Sequence, residues 1–287
     1  MLTATSPRDA DRRTLFDHIE AGIAPASATA ISYRAYHARV YLAVCRMLQT
    51  ASSVPPKVVV VPVNLRSFSN SWNYNPVWRF DDLVDAMEHP TRYRLFGRIM
   101  HVFGYYPRVS EKEYESSLVI DGEREVGTIG EFNRRLMKAG RKDTPERTRD
   151  SAIANYMTPV RPDHEGVLTL KELTRTVSGW GGTVVYYITP VDSESCAAVL
   201  GERFLMLLSE NTNTIRIALT DSHSVVLDLA TAAGSGCFAW KDLAEPLNEH
   251  LNEQGRSLVA SAVARQILRT LATPQAARPL AEAPESR

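Results

Sequence analysis

Apolar positions change their spacing several times along the chain, and that spacing separates strands from helices. Residues 57–63 read KVVVVPV and residues 183–189 read TVVYYIT. Neither run alternates apolar with polar side chains. A short, continuous β-branched and aromatic run bounded by Pro or Gly predicts a strand buried on both faces, as in parallel sheets. Elsewhere the period is helical. Leu15, Ile19 and Ile23 form the stripe of a helix expected over about 9–21. Val40, Ala43, Val44, Met47 and Leu48 predict a helix over 36–49, and Pro55 and Pro56 prevent its continuation. A third helix over 166–178 carries Leu168, Leu170, Leu173 and Val177 and stops at Gly179, Gly181 and Gly182. A fourth is expected over 193–208. Val259, Val263, Ile267 and Leu271 mark the last one at regular i, i+4 spacing. Shorter strand candidates are 28–32, 214–218 and 224–229. This alternation predicts an α/β fold of three layers, α/β/α, with a mostly parallel, doubly wound sheet.

Between the two long strands lies an insertion, residues 80–157, with helix-like pieces at 81–87, 92–103 and 129–139. Its end, RRLMKAGRKDTPERTR, is strongly basic and reads as a solvated face or as an anionic-partner surface. The expected organisation is one domain over 1–271. Residues 272–287, rich in Ala, Pro and Glu without an apolar period, are expected to be a disordered tail.

Composition narrows the functional classes. Hydrophobic residues are 44% and charged residues 23%, an ordinary globular balance. Lys+Arg and Asp+Glu are 33 each, so no global basic field draws the chain to nucleic acid, although a local patch is compatible with zero net charge. No apolar run reaches the roughly 18–20 residues of a membrane span, and MLTATSPRDADRR has no apolar signal core. As written, the chain is expected to be cytoplasmic. A start further upstream would open a periplasmic or membrane-anchored setting. Cys45, Cys196 and Cys237 lack zinc-like spacing and read as buried thiols. The seven His do not pair at ligand spacing, and no phosphate-loop or dinucleotide motif occurs, so neither metal nor cofactor is expected.

Candidate chemistry gathers where strands end. Asn64 closes the first buried strand, where a side-chain amide serves as an oxyanion donor or as a turn cap. The stretch after it, NLRSFSNSWNYNPVWRF, is polar and aromatic. Arg66, Ser67, Trp72 and Trp78 are its candidate substrate-binding residues, because aromatic faces with Arg and Asn suit sugars or anionic polymers. Both Trp also suit a role as core anchors of the insertion. His250 precedes the last helix, with Asp242, Glu245 and Glu249 as possible acidic partners that would orient its imidazole.

VVVVPVNLRSFSNSW, GGTVVYYITPVD and EHLNEQGRSLVASAVA, in this order, resemble the later blocks of SGNH/GDSL-type hydrolases. The resemblance is nearest to bacterial SGNH-like proteins related to acetylation and D-alanylation of cell-surface polymers, and it covers about residues 28–271. It implies an SGNH/flavodoxin-like sheet, Asn64 in the oxyanion hole and His250 as general base. The implied activity is ester hydrolysis or O-acyl transfer on acylated carbohydrate or a cell-envelope polymer. Three departures stand beside it. No Gly-Asp-Ser precedes Asn64, Leu247 occupies the position three before the His where the family usually has Asp, and no glycine near 33–37 matches the second oxyanion donor. Little esterase activity is therefore expected of the chain as written, with Ser67, Ser69 and Ser71 the first serines to test. The alternative is a non-catalytic binding protein that keeps the crevice. Either way, Asn64 and His250 are expected to face one crevice at the C-terminal edge of the sheet.

Overall fold

A computed structural model of the chain describes residues 9–32, 36–52, 54–69, 80–104, 119–120, 123–124, 149, 152–153, 155–239 and 249–273. These form a mixed α/β structure around a three-stranded parallel sheet. The sheet consists of β1 (Val58–Val63), β4 (Thr183–Ile188) and β5 (Ser224–Asp228), with β4 in the centre. The two continuous apolar runs are thus neighbouring parallel strands, paired from Val58 with Thr183 to Val63 with Ile188. In the insertion, β2 (Val119–Ile120) and β3 (Glu123–Arg124) form a short antiparallel pair.

Position in the sheet explains composition. Central β4 is fully buried from Val184 to Ile188, which is why TVVYYIT has no polar alternation. Thr183 N–H donates to Lys57 O and Thr189 N–H donates to Val63 O. In a parallel ladder this directs the backbone groups of residues 57, 59, 61 and 63 toward β4. Pro62 therefore turns its nitrogen to the outer edge of β1, where its missing N–H costs no bond in the sheet.

The sheet has a core on each face. Val61, Val63, Val184, Tyr186 and Ile188 belong to one, with α5 (Glu165–Gly179) and α7 (Glu202–Leu219) contributing Leu170, Leu173, Val177, Phe204 and Ile215. Helix α2 (Ala38–Ala51) lies against α5 and adds Leu42 and Cys45. Tyr187 points to the other core, formed by α1 (Leu15–Ile23) and α8 (Glu253–Ala272) with Leu15, Ile19, Val259, Val263 and Ile267. The insertion begins with α3 (Asp81–Glu88) and α4 (Pro90–Val102).

Four expectations change. The helix expected over 9–21 starts only at Leu15. Thr14 caps it, with Asp17 completing a capping box, and residues 9–14 are instead tied to α8. There Arg256, 1% exposed, donates to the Asp9 carboxylate at 2.6 Å, Asp11 O at 2.7 Å, Arg13 O at 3.0 Å and Leu251 O at 3.0 Å. Residues 28–32 form no strand. Residues 214–218 lie inside α7 rather than in a strand, because Ile215 and Leu219 continue the buried stripe begun by Phe204, Leu208 and Thr212. The helix expected over 193–208 is broken into α6 (Ser193–Leu200) and α7 at Gly201, whose φ of 67° suits glycine. The helix expected over 129–139, most of the basic stretch and the tail 274–287 lie outside the described residues.

Candidate functional site

The C-terminal ends of β1 and β4 meet at the bond between Thr189 and Val63, and Asn64 emerges there. Its Oδ1 accepts the Arg66 N–H at 2.8 Å and so opens a 3₁₀ turn, Leu65–Phe68. Its Nδ2 donates to Glu249 Oε2. The other oxygen of that carboxylate accepts the Tyr156 hydroxyl at 2.9 Å. Amide, carboxylate and phenol thus form one chain across residues 64, 249 and 156. Burial first, and the Glu249 charge second, push the Tyr156 phenol well above its ordinary pKa, so it remains a donor; the Arg66 charge pulls the other way.

The backbone explains why Glu249 faces Asn64. Phe238 and Leu251 form an antiparallel bridge, Ala239 N–H donates to His250 O, and Asn252 N–H donates to Cys237 O. Side chains alternate along such an extended segment. Glu249 is half-buried, His250 is exposed and Leu251 is buried in the core. Asn252 then caps α8 through Gly255 N–H and donates to Gly236 O. Of the three acidic candidates, Glu249 touches Asn64, with His250 next to it in sequence and turned to solvent. Asp242 and Glu245 lie outside the described residues, as do Trp72, Trp78 and Ser71.

The serines near Asn64 are committed to the backbone. Ser67 Oγ donates to Asn64 O at 2.6 Å, and buried Ser69 donates to Arg66 O at 2.8 Å. Asp192, in the TPVD segment after β4, accepts from the Ser195 backbone and hydroxyl and from Ser235 Oγ, which makes it the cap of α6. Polar demand also remains at the end of β4. The Tyr187 hydroxyl and Thr189 Oγ1 are buried without a hydrogen-bond partner among the described residues.

Asn64 and Ser67 line a cavity of about 300 Å³ between the starts of α2 and α5 and the end of β1. Tyr36, His37, Tyr41 and His164 line it too. His164 is the N-cap of α5, and its Nδ1 accepts the Gly166 N–H at 3.0 Å. That acceptor role requires Nδ1 to be unprotonated, and burial lowers the pKa below the usual histidine range. The ring stands 5.3 Å from that of Phe68. A side chain on Gly166 would meet the Phe68 ring at 2.9 Å, so glycine permits this closeness. Sequence reasoning treated His37 and His164 as scattered and did not select Tyr36, Tyr41 or Tyr156. A His directly before an apolar-periodic helix was the available signal for His164. Tyr156 carried none.

The three cysteines are buried and form no disulfide, and burial pushes the Cys45 thiol up to about 12. Among the described residues, no group of three or more His, Cys, Asp or Glu is placed to hold a metal ion, and no helix is long and apolar enough to cross a membrane. No family model matches the chain, and no curated protein or solved structure matches it significantly.

The arrangement can hold a polar ligand with a carbonyl. Asn64 Nδ2 has two hydrogens, one directed to Glu249, leaving a second for an acceptor in the cavity. Tyr and His rings supply apolar faces with polar tips.

Proposed function

We propose that this chain is an SGNH-like protein of the ester hydrolase or O-acyltransferase type, with a three-layer α/β/α domain whose crevice takes acylated carbohydrate or a cell-envelope polymer. One observation carries the reading. Asn64, directly after a buried parallel strand, reaches the cavity while its amide is oriented by Glu249, the neighbour of His250. In this reading the second N–H of Asn64 polarises the acyl carbonyl. The resemblance gives His250 the role of base, but Glu249 is turned to Asn64 and Tyr156 and His250 to solvent, so Glu249 orients the amide rather than the imidazole. Arg66 and Ser67 contact the sugar or polymer.

A non-catalytic binding protein is the second reading, and the hydroxyl geometry favours it. Ser67 and Ser69 spend their hydrogens on backbone carbonyls, and no Gly-Asp-Ser precedes Asn64. A serine nucleophile needs its base within roughly 2.6–3.2 Å.

Titrating the full chain with an O-acetylated oligosaccharide and its deacetylated form, while measuring acetate release, tests both readings. Saturable binding that prefers the acetylated form, with little release, is expected. Equal or absent binding of the two forms overturns the assignment. Robust release abolished by Ser67→Ala would instead identify the nucleophile and overturn the binding-only reading.

A further inference from the structure

His164 joins two walls of the cavity. It is the N-cap of α5, where its Nδ1 accepts the Gly166 N–H at 3.0 Å. Its ring stands 5.3 Å from that of Phe68, the last residue of the 3₁₀ turn that opens at Asn64. Phe68 is buried and rests on Gly166, where a side chain would not fit. The turn is tightly braced. Asn64 Oδ1 accepts the Arg66 N–H, Asn64 O accepts both the N–H and the hydroxyl of Ser67, and Arg66 O accepts the Ser69 N–H. A displacement of Phe68 therefore reaches Asn64 at the other end of the turn, and both residues line the cavity.

A histidine cap differs from an Asn or Ser cap in that a proton removes its acceptor. Protonated, Nδ1 becomes a donor facing the Gly166 N–H, so the cap bond is lost and two donors oppose each other. The imidazolium also stands at the positive end of the α5 dipole. Movement of the ring toward solvent relieves both conflicts. Among the surrounding groups, burial holds the His164 pKa below the ordinary histidine value, while the Phe68 backbone, Glu165 and Asp163 pull the other way. On the turn, the Arg66 charge acts on Tyr156. Across the cavity, α2 presents His37 and Arg39, and Arg39 is paired with Asp81.

We propose that His164 is an acid-operated clasp, whose protonation frees its ring from Gly166 and Phe68 and loosens the cavity wall that carries Asn64. The clasp belongs to the cavity itself and holds whichever ligand is seated there. Its sign follows from the neutral ring being the one the fold prefers. The stability it contributes is complete above the unfolded histidine value of about 6.5, declines as pH falls below that value, and is gone below the lower folded value.

The test is nuclear magnetic resonance of the full chain between about pH 7.5 and about pH 4.5, a window that spans the ordinary histidine value. Wild type is compared with His164→Asn and His164→Ser, two caps that accept the same N–H and do not titrate in that window. His37 is common to all three, so the difference isolates His164. In wild type, protection of the Gly166 amide from exchange, taken relative to the variants at each pH, is expected to fall about fivefold below the His164 midpoint, the scale of a lost N-cap. The Phe68 ring and Asn64 side-chain amide signals are expected to move with that midpoint in wild type only. Circular dichroism at about pH 7.5, above the histidine titration, shows that the variants are folded. A relative protection that does not change with pH overturns the proposal. So do Phe68 and Asn64 signals that move equally in the variants, or that stay still in wild type while His164 titrates. A His164 ring that does not titrate in this window overturns it as well.

Discussion

Helices α8 and α4 are both amphipathic, yet one is closed and the other open. The stripe of α8, Val259, Val263 and Ile267, is covered by α1 and the sheet, with exposures of 0–4%. The stripe of α4, Leu95, Phe96, Ile99 and Val102, remains in solvent. Periodicity shows that a helix has an apolar face but not what covers it. For α8 the cover is a segment some 240 residues away, held by one buried guanidinium that accounts for five donors with four oxygen partners and one at most left over. For α4 no comparable tether exists among the described residues.

The largest effect is therefore expected at Arg256. Arg256→Ala would remove the guanidinium from the buried Asp9 carboxylate and from the Asp11, Arg13 and Leu251 carbonyls. Breaking a buried pair from one side costs about 3–5 kcal/mol, so urea unfolding should show a much lower midpoint. A change below about 1 kcal/mol would mean that the tether does not hold α1 on α8.

The paired substitutions Ile267→Ala and Ile99→Ala sharpen the contrast. The first opens a cavity in a packed core and should cost about 2–4 kcal/mol. The second removes an exposed side chain and should change stability by less than about 0.5 kcal/mol. Equal losses in the two melts would show that α4 is packed in solution.

A smaller effect is expected from acid. The Thr14 backbone N–H, then its hydroxyl, hold Asp17 below the ordinary carboxylate range. A depressed carboxylate contributes stability above its unfolded pKa of about 3.9 and loses it as pH falls through the lower folded value. Amide exchange in α1 should therefore accelerate below about pH 4 and should do so less in Asp17→Asn. An identical acid response in that variant would remove the capping box from the account.

The same contrast shows what was legible in the sequence. Strands β1 and β4 could be read because both faces of each meet apolar side chains, leaving no polar position to confuse the period. Residues 214–218 misled because Thr214, Ile215 and Ile217 are β-branched, and only the longer stripe from Phe204 to Leu219 shows the helix. At the site, Asn64 followed from its place after a buried run. Glu249 was one of three acids with equal claims, since the choice rests on the alternation imposed by the Phe238–Leu251 bridge. Tyr156 and His164 reach the site through tertiary packing, which no local spacing encodes.

The closed region also serves the site, because the segment that caps α8 at Asn252 presents Glu249 to Asn64. The most direct test of the proposed crevice is chemical-shift titration of wild type, Asn64→Ala and Glu249→Gln with an O-acetylated oligosaccharide. Glu249→Gln keeps the shape while removing the charge that orients the amide. The account predicts saturable binding by the wild type and at least roughly tenfold weaker binding by both variants, the scale of one or more lost hydrogen bonds to charged or polar groups, with melting curves that show both are folded. Unchanged affinity in both folded variants would contradict it.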